Sequence, residues 1–179
     1  LLVRQAERLR IGNGLEENVD LGPMFSREQR SRTKEHVADA LNKGAELLSG
    51  GREPEGEAFD KGYFFLPTVL GGADHSMRIM REETFGPVAP VMRFKTLDEA
   101  IKLANDSNYG LAAYIYTSDI TTGIRAAERL EAGGVGVNIN NVMDHQMPFG
   151  GWKESGIGRE LGLYGLQSFL EIKHIRLGL

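Results

Sequence analysis

Between Val88 and Ile139 the chain alternates short apolar runs with stretches of helical periodicity, and this alternation restricts the fold more than any other feature. Val88 to Phe94 is an apolar stretch, and Thr96 with Glu99 three residues on opens a helix. Leu111 to Tyr116 then reads as a strand, Ile120 to Leu130 as a helix and Val135 to Ile139 as a strand. Strands joined through helices by short connections predict parallel pairing with right-handed crossovers, which is an α/β fold. Ligands of such sheets collect beyond the carboxyl ends of the strands. Asn138 to Met147 leaves one such end and is the expected substrate mouth.

Upstream, Leu2, Ala6 and Leu9 stand at helical spacing and the run stops at Gly12-Asn13-Gly14, so the chain is expected to begin inside a helix already under way. It starts with Leu1 rather than Met, as a cut or processed chain would. Ser26 followed by Gln29 fits a capping box, Val37, Ala40 and Leu41 give the new helix its apolar face, and Gly44 suits the left-handed residue after it. The charged side of that helix reads as a solvated face. Gly50 to Gly62 reads as an exposed loop before a strand at Tyr63 to Leu70. The tail from Phe169 to Leu177 has strand composition without clean alternation: Leu170 and Ile172 fall on one side, Ile175 and Leu177 on the other. Such a terminal strand has unpaired edge groups and needs a partner.

A length of 179 residues is about one domain, with a 41% hydrophobic and 26% charged composition that fits a globular protein. The formal charge of −4 offers no basic face for nucleic acid or an anionic membrane. No stretch reaches the roughly 20 apolar residues of a membrane span, and Leu1 to Gln5 has no signal-peptide layout, so a cytoplasmic setting is expected. The absence of cysteine removes disulfides, zinc-thiolate sites and any thiol nucleophile from these residues, but leaves the redox compartment open. His36, His75, His145 and His174 lack metal-ligand spacing, and no metal site is expected. Gly156-Ile157-Gly158 and Gly12-Asn13-Gly14 fail the dinucleotide fingerprint at Leu161 and Glu17. Ser155 lacks the glycine-flanked elbow of a hydrolase nucleophile.

Several spaced motifs agree with one another. They are Arg81-Glu82-Glu83-Thr84-Phe85-Gly86-Pro87-Val88, Asn105 to Ala113, Gly136-Val137-Asn138, Pro148-Phe149-Gly150-Gly151-Trp152-Lys153 and Ser155-Gly156-Ile157-Gly158-Arg159-Glu160. In this order they resemble the carboxy-terminal part of the NAD(P)-dependent aldehyde dehydrogenases, over nearly the whole chain. The resemblance implies a parallel-sheet strand-helix-strand series of the catalytic domain, incomplete at its amino-terminal end. It divides the chain into a catalytic-domain portion over 1–168 and an oligomerisation strand over 169–179 that pairs with a neighbouring subunit.

A carboxylate can accept from two adjacent ribose hydroxyls. By the resemblance, Glu83 binds the nicotinamide ribose of NAD or NADP and Phe85 packs beside the nicotinamide ring. The bland alternative is an exposed acidic pair, Glu82 and Glu83, with Phe85 simply core. Phe149, before Gly150-Gly151 where backbone or ligand can approach closely, would line the substrate tunnel; its alternative is a packed aromatic under a tight turn. Asn138 and Met143 would shape the tunnel mouth. Glu160 would belong to a proton path behind the active site, and Arg159 and Glu171 would make structural ion pairs near the subunit boundary; the alternative for Arg159 and Glu160 is a solvated or purely structural pair.

The resembled enzymes oxidise an aldehyde to a carboxylic acid through a cysteine thiohemiacetal, and a glutamate-activated water completes the reaction. In them the cysteine, that glutamate and the dinucleotide fold precede the point matching Leu1, so the expected function is part of such an enzyme, inactive alone. The competing expectation is a non-catalytic binding or oligomer-assembly module acting through the tail. The substrate is an aldehyde of unspecified kind, and the partner a second copy of the enzyme.

Overall fold

The computed structural model describes residues 1–178, which form two compact units divided after Arg93. In the first, a short helix α1 (Leu2–Ala6) precedes the long helix α2 (Arg27–Asn42). Strands β1 (Glu46–Ser49), β2 (Thr68–Gly71) and β3 (Val88–Pro90) follow. They form one sheet in that order, β1 antiparallel to β2 and β2 parallel to β3. The Ser26 hydroxyl accepts from the Gln29 N–H at 3.2 Å and starts α2 as its sequence predicts. Gly44 follows at φ 98°, a conformation that costs glycine little.

One face of α2 supplies Val37 and Ala40 to a core with Phe65, Leu70, Met77 and Ile79. Phe65 and Leu70 are 1% and 0% exposed, and burying side chains of this size stabilises by about 1.5–3 kcal/mol each. The hydrophobic centre of this unit therefore lies between α2 and β2.

The second unit contains α3 (Leu97–Asn105), β4 (Tyr109–Gly110), β5 (Ala112–Ile115), α4 (Ile120–Arg129), β6 (Gly134–Val137), β7 (Trp152–Lys153) and α5 (Gly162–Gln167). Thr96 caps α3 by accepting from the Glu99 N–H, and Asp119 caps α4 through the N–H groups of Thr121 and Thr122. β5 and β6 are parallel, with α4 as the crossover, and β4 pairs antiparallel with β7. Gly123 lets α4 close on the sheet: a Cβ there would stand 2.8 Å from Val137 Cγ1.

The Asn105 side chain ties two helix ends together. Its Nδ2 donates to the Arg129 carbonyl at 2.8 Å and its Oδ1 accepts from the Glu131 N–H at 2.9 Å. Lys153 Nζ donates to the carbonyls of Asn105 and Ser107 at 2.7 and 2.9 Å and pairs with Glu131 at 2.7 Å. The head of the Asn105 to Ala113 motif thus serves the architecture.

The structure corrects several expectations. β3 pairs with β2 rather than joining β5 and β6 in one parallel series. It ends at Pro90, and the Val91 N–H beyond it still donates to the Leu70 carbonyl at 2.8 Å. The strand expected over Tyr63 to Leu70 contracts to β2, with Tyr63 making only a single bridge to Met24. The leading helix stops at Ala6 rather than running to Leu9. Residues 169–178 form no strand within this chain, with Phe169 and Ile172 87% and 101% exposed, and the strand expected there is one that pairs with a neighbouring subunit. A strand requires a ladder partner, and none pairs with the tail among the described residues. Leu179, the last residue of that expected strand, lies outside the described residues. Among the described residues no helix is long and apolar enough to cross a membrane.

Candidate cofactor site

Gln29, Thr33 and His36 stand four and three residues apart on α2 and so share one stripe of the helix. That stripe faces the segment from Glu82 to Gly86. The Gln29 side-chain amide donates to the carbonyls of Thr84 and Phe85, the second at 3.2 Å. His36 Nδ1 lies 3.0 Å from Thr84 Oγ1, and His36 Nε2 lies 3.2 Å from a Glu82 carboxylate oxygen. Thr33 and His36 are both 0% exposed. A Cβ on Gly86 would run into Thr33 Oγ1 and stand 3.0 Å from Thr33 Cγ2, so only glycine lets the segment lie this close to the helix.

The adjacent carboxylates are treated differently. Glu82 accepts from Arg78 Nε and Nη2 at 2.8 and 2.9 Å, a bidentate clamp. The Arg78 hydrogen bonds hold its carboxyl down to about 2, with His36 adding a smaller contribution. Glu83 points to solvent between these anchored neighbours, and Phe85 is 76% exposed at φ 50°. Phe85 is therefore not core, while Glu82 and Glu83 are both exposed, Glu82 with its carboxylate bonded by Arg78 and His36. A bulky exposed side chain in the left-handed region is costly on two counts and persists only where its surroundings fix it. The bonds from Gln29 and His36 do that fixing.

The other candidates belong to the second unit. Asn138, at φ 57° just after β6, accepts from the Thr117 N–H and donates to the Thr117 carbonyl, both at 2.9 Å. Its polar atoms clip the chain after β5 to the end of β6. Met143 is 57% exposed in a loop turned by Asn141 Oδ1, which accepts from the Met143 N–H at 2.9 Å.

Phe149 and Glu160 are brought together. Their backbones exchange hydrogen bonds of 2.8 and 2.7 Å, leaving the Phe149 ring half-buried and the Glu160 side chain exposed. Arg159 Nη1 donates to the carbonyls of Gly151 and Gly158 at 3.0 and 2.6 Å. Among the described residues neither Arg159 nor Glu171 forms an ion pair within this chain, and Arg159 supports the turn through these backbone contacts.

Gln29, Thr33 and His36 were not singled out from the sequence as site residues. Their stripe runs into the apolar face, Thr33 and His36 standing four residues before Val37 and Ala40, but nothing local shows that the Glu82–Gly86 segment covers it.

The Aldehyde dehydrogenase family matches residues 1–175 of the chain. The 3-sulfolactaldehyde dehydrogenase of Pseudomonas putida is 46% identical over 177 residues, covering 99% of this chain and 36% of that protein. The NADP(+) succinate-semialdehyde dehydrogenase of Escherichia coli is 42% identical, covering 99% of this chain and 36% of that protein. The betaine aldehyde dehydrogenase of Staphylococcus aureus in complex with NAD+ superposes with a TM-score of 0.92 at 42% identity, over 97% of this chain and 34% of that one. The chain belongs to the aldehyde dehydrogenase family. It spans about a third of the length of the relatives it matches.

Proposed function

We propose that these residues form the carboxy-terminal part of the catalytic domain of an NAD(P)-dependent aldehyde dehydrogenase, with the nucleophile, the general base and the dinucleotide fold supplied outside them. The observation that carries this reading is the presentation of Glu83 and Phe85: an exposed carboxylate and an exposed aromatic face on a segment anchored by α2. The pair fits a nicotinamide riboside, because Glu83 can accept from both ribose hydroxyls while Phe85 offers a flat apolar surface to the ring. When bound, the dinucleotide supplies the hydride acceptor.

The chain's own contribution is to fix the sugar and to limit the freedom of the ring; the anchored backbone makes that placement inexpensive at the moment of reaction. Met143 and the Phe149 ring offer apolar surface for an aldehyde, with Asn138 shaping the mouth. The Glu160 backbone is held by its pairing with Phe149, and its exposed carboxylate would relay a proton. The tail over 169–179, whose apolar residues Phe169, Leu170, Ile172, Ile175 and Leu177 are exposed, supports assembly with a second copy of the enzyme through strand addition.

The 179-residue chain holds no cysteine and therefore no thiol to attack an aldehyde. Supplied alone with NAD or NADP and a simple aldehyde, it is expected to yield no NADH or NADPH. Sustained turnover by the purified chain would overturn this assignment.

A further inference from the structure

A fully buried histidine loses its hydration on both ring nitrogens, and each must then find a partner. His36 finds both on the residues flanking Glu83: Thr84 on one side and Glu82 on the other. From these contacts we infer that His36 is a positioning residue that sets how Glu83 and Phe85 are presented, an inference that rests on the cofactor reading above.

The chemistry of the contacts gives each nitrogen a role. The Glu82 carboxylate, held ionised by Arg78, can only accept, so His36 Nε2–H donates to it. In the neutral ring Nδ1 then accepts from the Thr84 hydroxyl. The ring thus fixes the side chains on both sides of Glu83 while Gln29 fixes the carbonyls of Thr84 and Phe85. His36 sits one residue before Val37 and four before Ala40, so its backbone is immobilised by the core of the unit. Anchorage at Glu82 and Thr84 leaves Glu83 little freedom to change direction, and Phe85 is held in a conformation it would otherwise leave.

A histidine serving only the core would show itself as lost stability without a local effect on this segment. The test compares His36→Phe, which keeps an aromatic ring without its hydrogen bonds, with His36→Gln, whose amide can still donate to Glu82, in the full enzyme containing this chain. His36→Phe is expected to speed amide exchange at Glu83 to Gly86 and raise the KM for the nicotinamide cofactor, each about tenfold, while the aldehyde KM moves less than about twofold. His36→Gln should recover most of both changes. Should His36→Phe fold poorly, Thr84→Val removes only the Thr84 partner, and the same local increase in exchange is expected.

A fall in melting temperature with unchanged exchange at these amides and unchanged cofactor KM would overturn the positioning role. Glu83→Gln run alongside separates the two claims. Faster exchange in His36→Phe, with cofactor KM unmoved in both variants, would support the clamp and overturn the cofactor reading.

Discussion

Gly133→Ala lowers the stability of the second unit by about 3 kcal/mol, the upper end of what overpacking normally costs. The reason is geometric. A Cβ at Gly133 would fall on the Gly150 carbonyl oxygen and stand 2.8 Å from the carbonyl carbon, so the obstacle is backbone that no rotamer change can move. Gly133 cannot simply retreat, because its N–H donates to the Gly110 carbonyl at 2.9 Å and the Gly134 N–H to that of Leu111 at 3.1 Å, at the start of the β5–β6 pairing. Gly150 and Gly151 are themselves closed in: a Cβ on Gly150 would meet the Gly158 carbonyl oxygen at 2.6 Å, and one on Gly151 the Ser155 Cβ at 2.5 Å.

The paired glycines after Phe149 therefore admit neighbouring backbone, one of the two possibilities their sequence leaves open. Thermal unfolding should show the loss as a fall of more than about 10 °C. Gly14→Ala, with nothing within 4 Å of the added Cβ, is the control and should stay within about 0.5 kcal/mol. Equal melting temperatures for the two variants would contradict the packing described for this turn.

The second large effect is functional. In the full enzyme, Glu83→Gln is expected to raise the cofactor KM between about tenfold and a hundredfold. Hydrogen bonds to a charged acceptor contribute about 1.5–3 kcal/mol, and the amide keeps the shape of the carboxylate but loses its charge and one accepting oxygen. Stability should hardly change, because Glu83 is exposed and the segment's anchors are its neighbours Glu82 and Thr84. Steady-state kinetics at varied NAD or NADP checks the KM, and thermal unfolding checks the stability. An unchanged cofactor KM would remove Glu83 from the site.

What the sequence made legible follows from how local each signal is. Ser26, Thr96 and the β5–α4–β6 unit were readable because a cap or a periodic face depends on residues a few positions apart. The motif around Glu83 was readable through resemblance, as were Phe149 and Glu160, which the structure then joins by backbone pairing. The parallel partner of β3 was not readable. Val69 and Ala89 are apolar-run residues like those of β5 and β6, and only tertiary pairing decides which strand takes which neighbour.

The bracket on α2 was hidden for the same reason. His36 meets its partners across 46 and 48 residues, and Gln29 meets Thr84 across 55. A histidine between Glu35 and Val37 gives no sign of whether it faces water or a loop. Asn138 illustrates a converse limit: its place after β6 was legible, but the spending of both side-chain polar atoms on Thr117 was not.

Hydrogen exchange of the full enzyme with and without NAD or NADP tests most directly whether the segment beside α2 receives the nicotinamide end of the cofactor. Slower exchange at the amides from Glu83 to Gly86 on saturation, lost in Glu83→Gln at the same cofactor concentration, is the expected result. Unchanged exchange there, with cofactor bound and protection confined to other parts of the enzyme, would contradict the account.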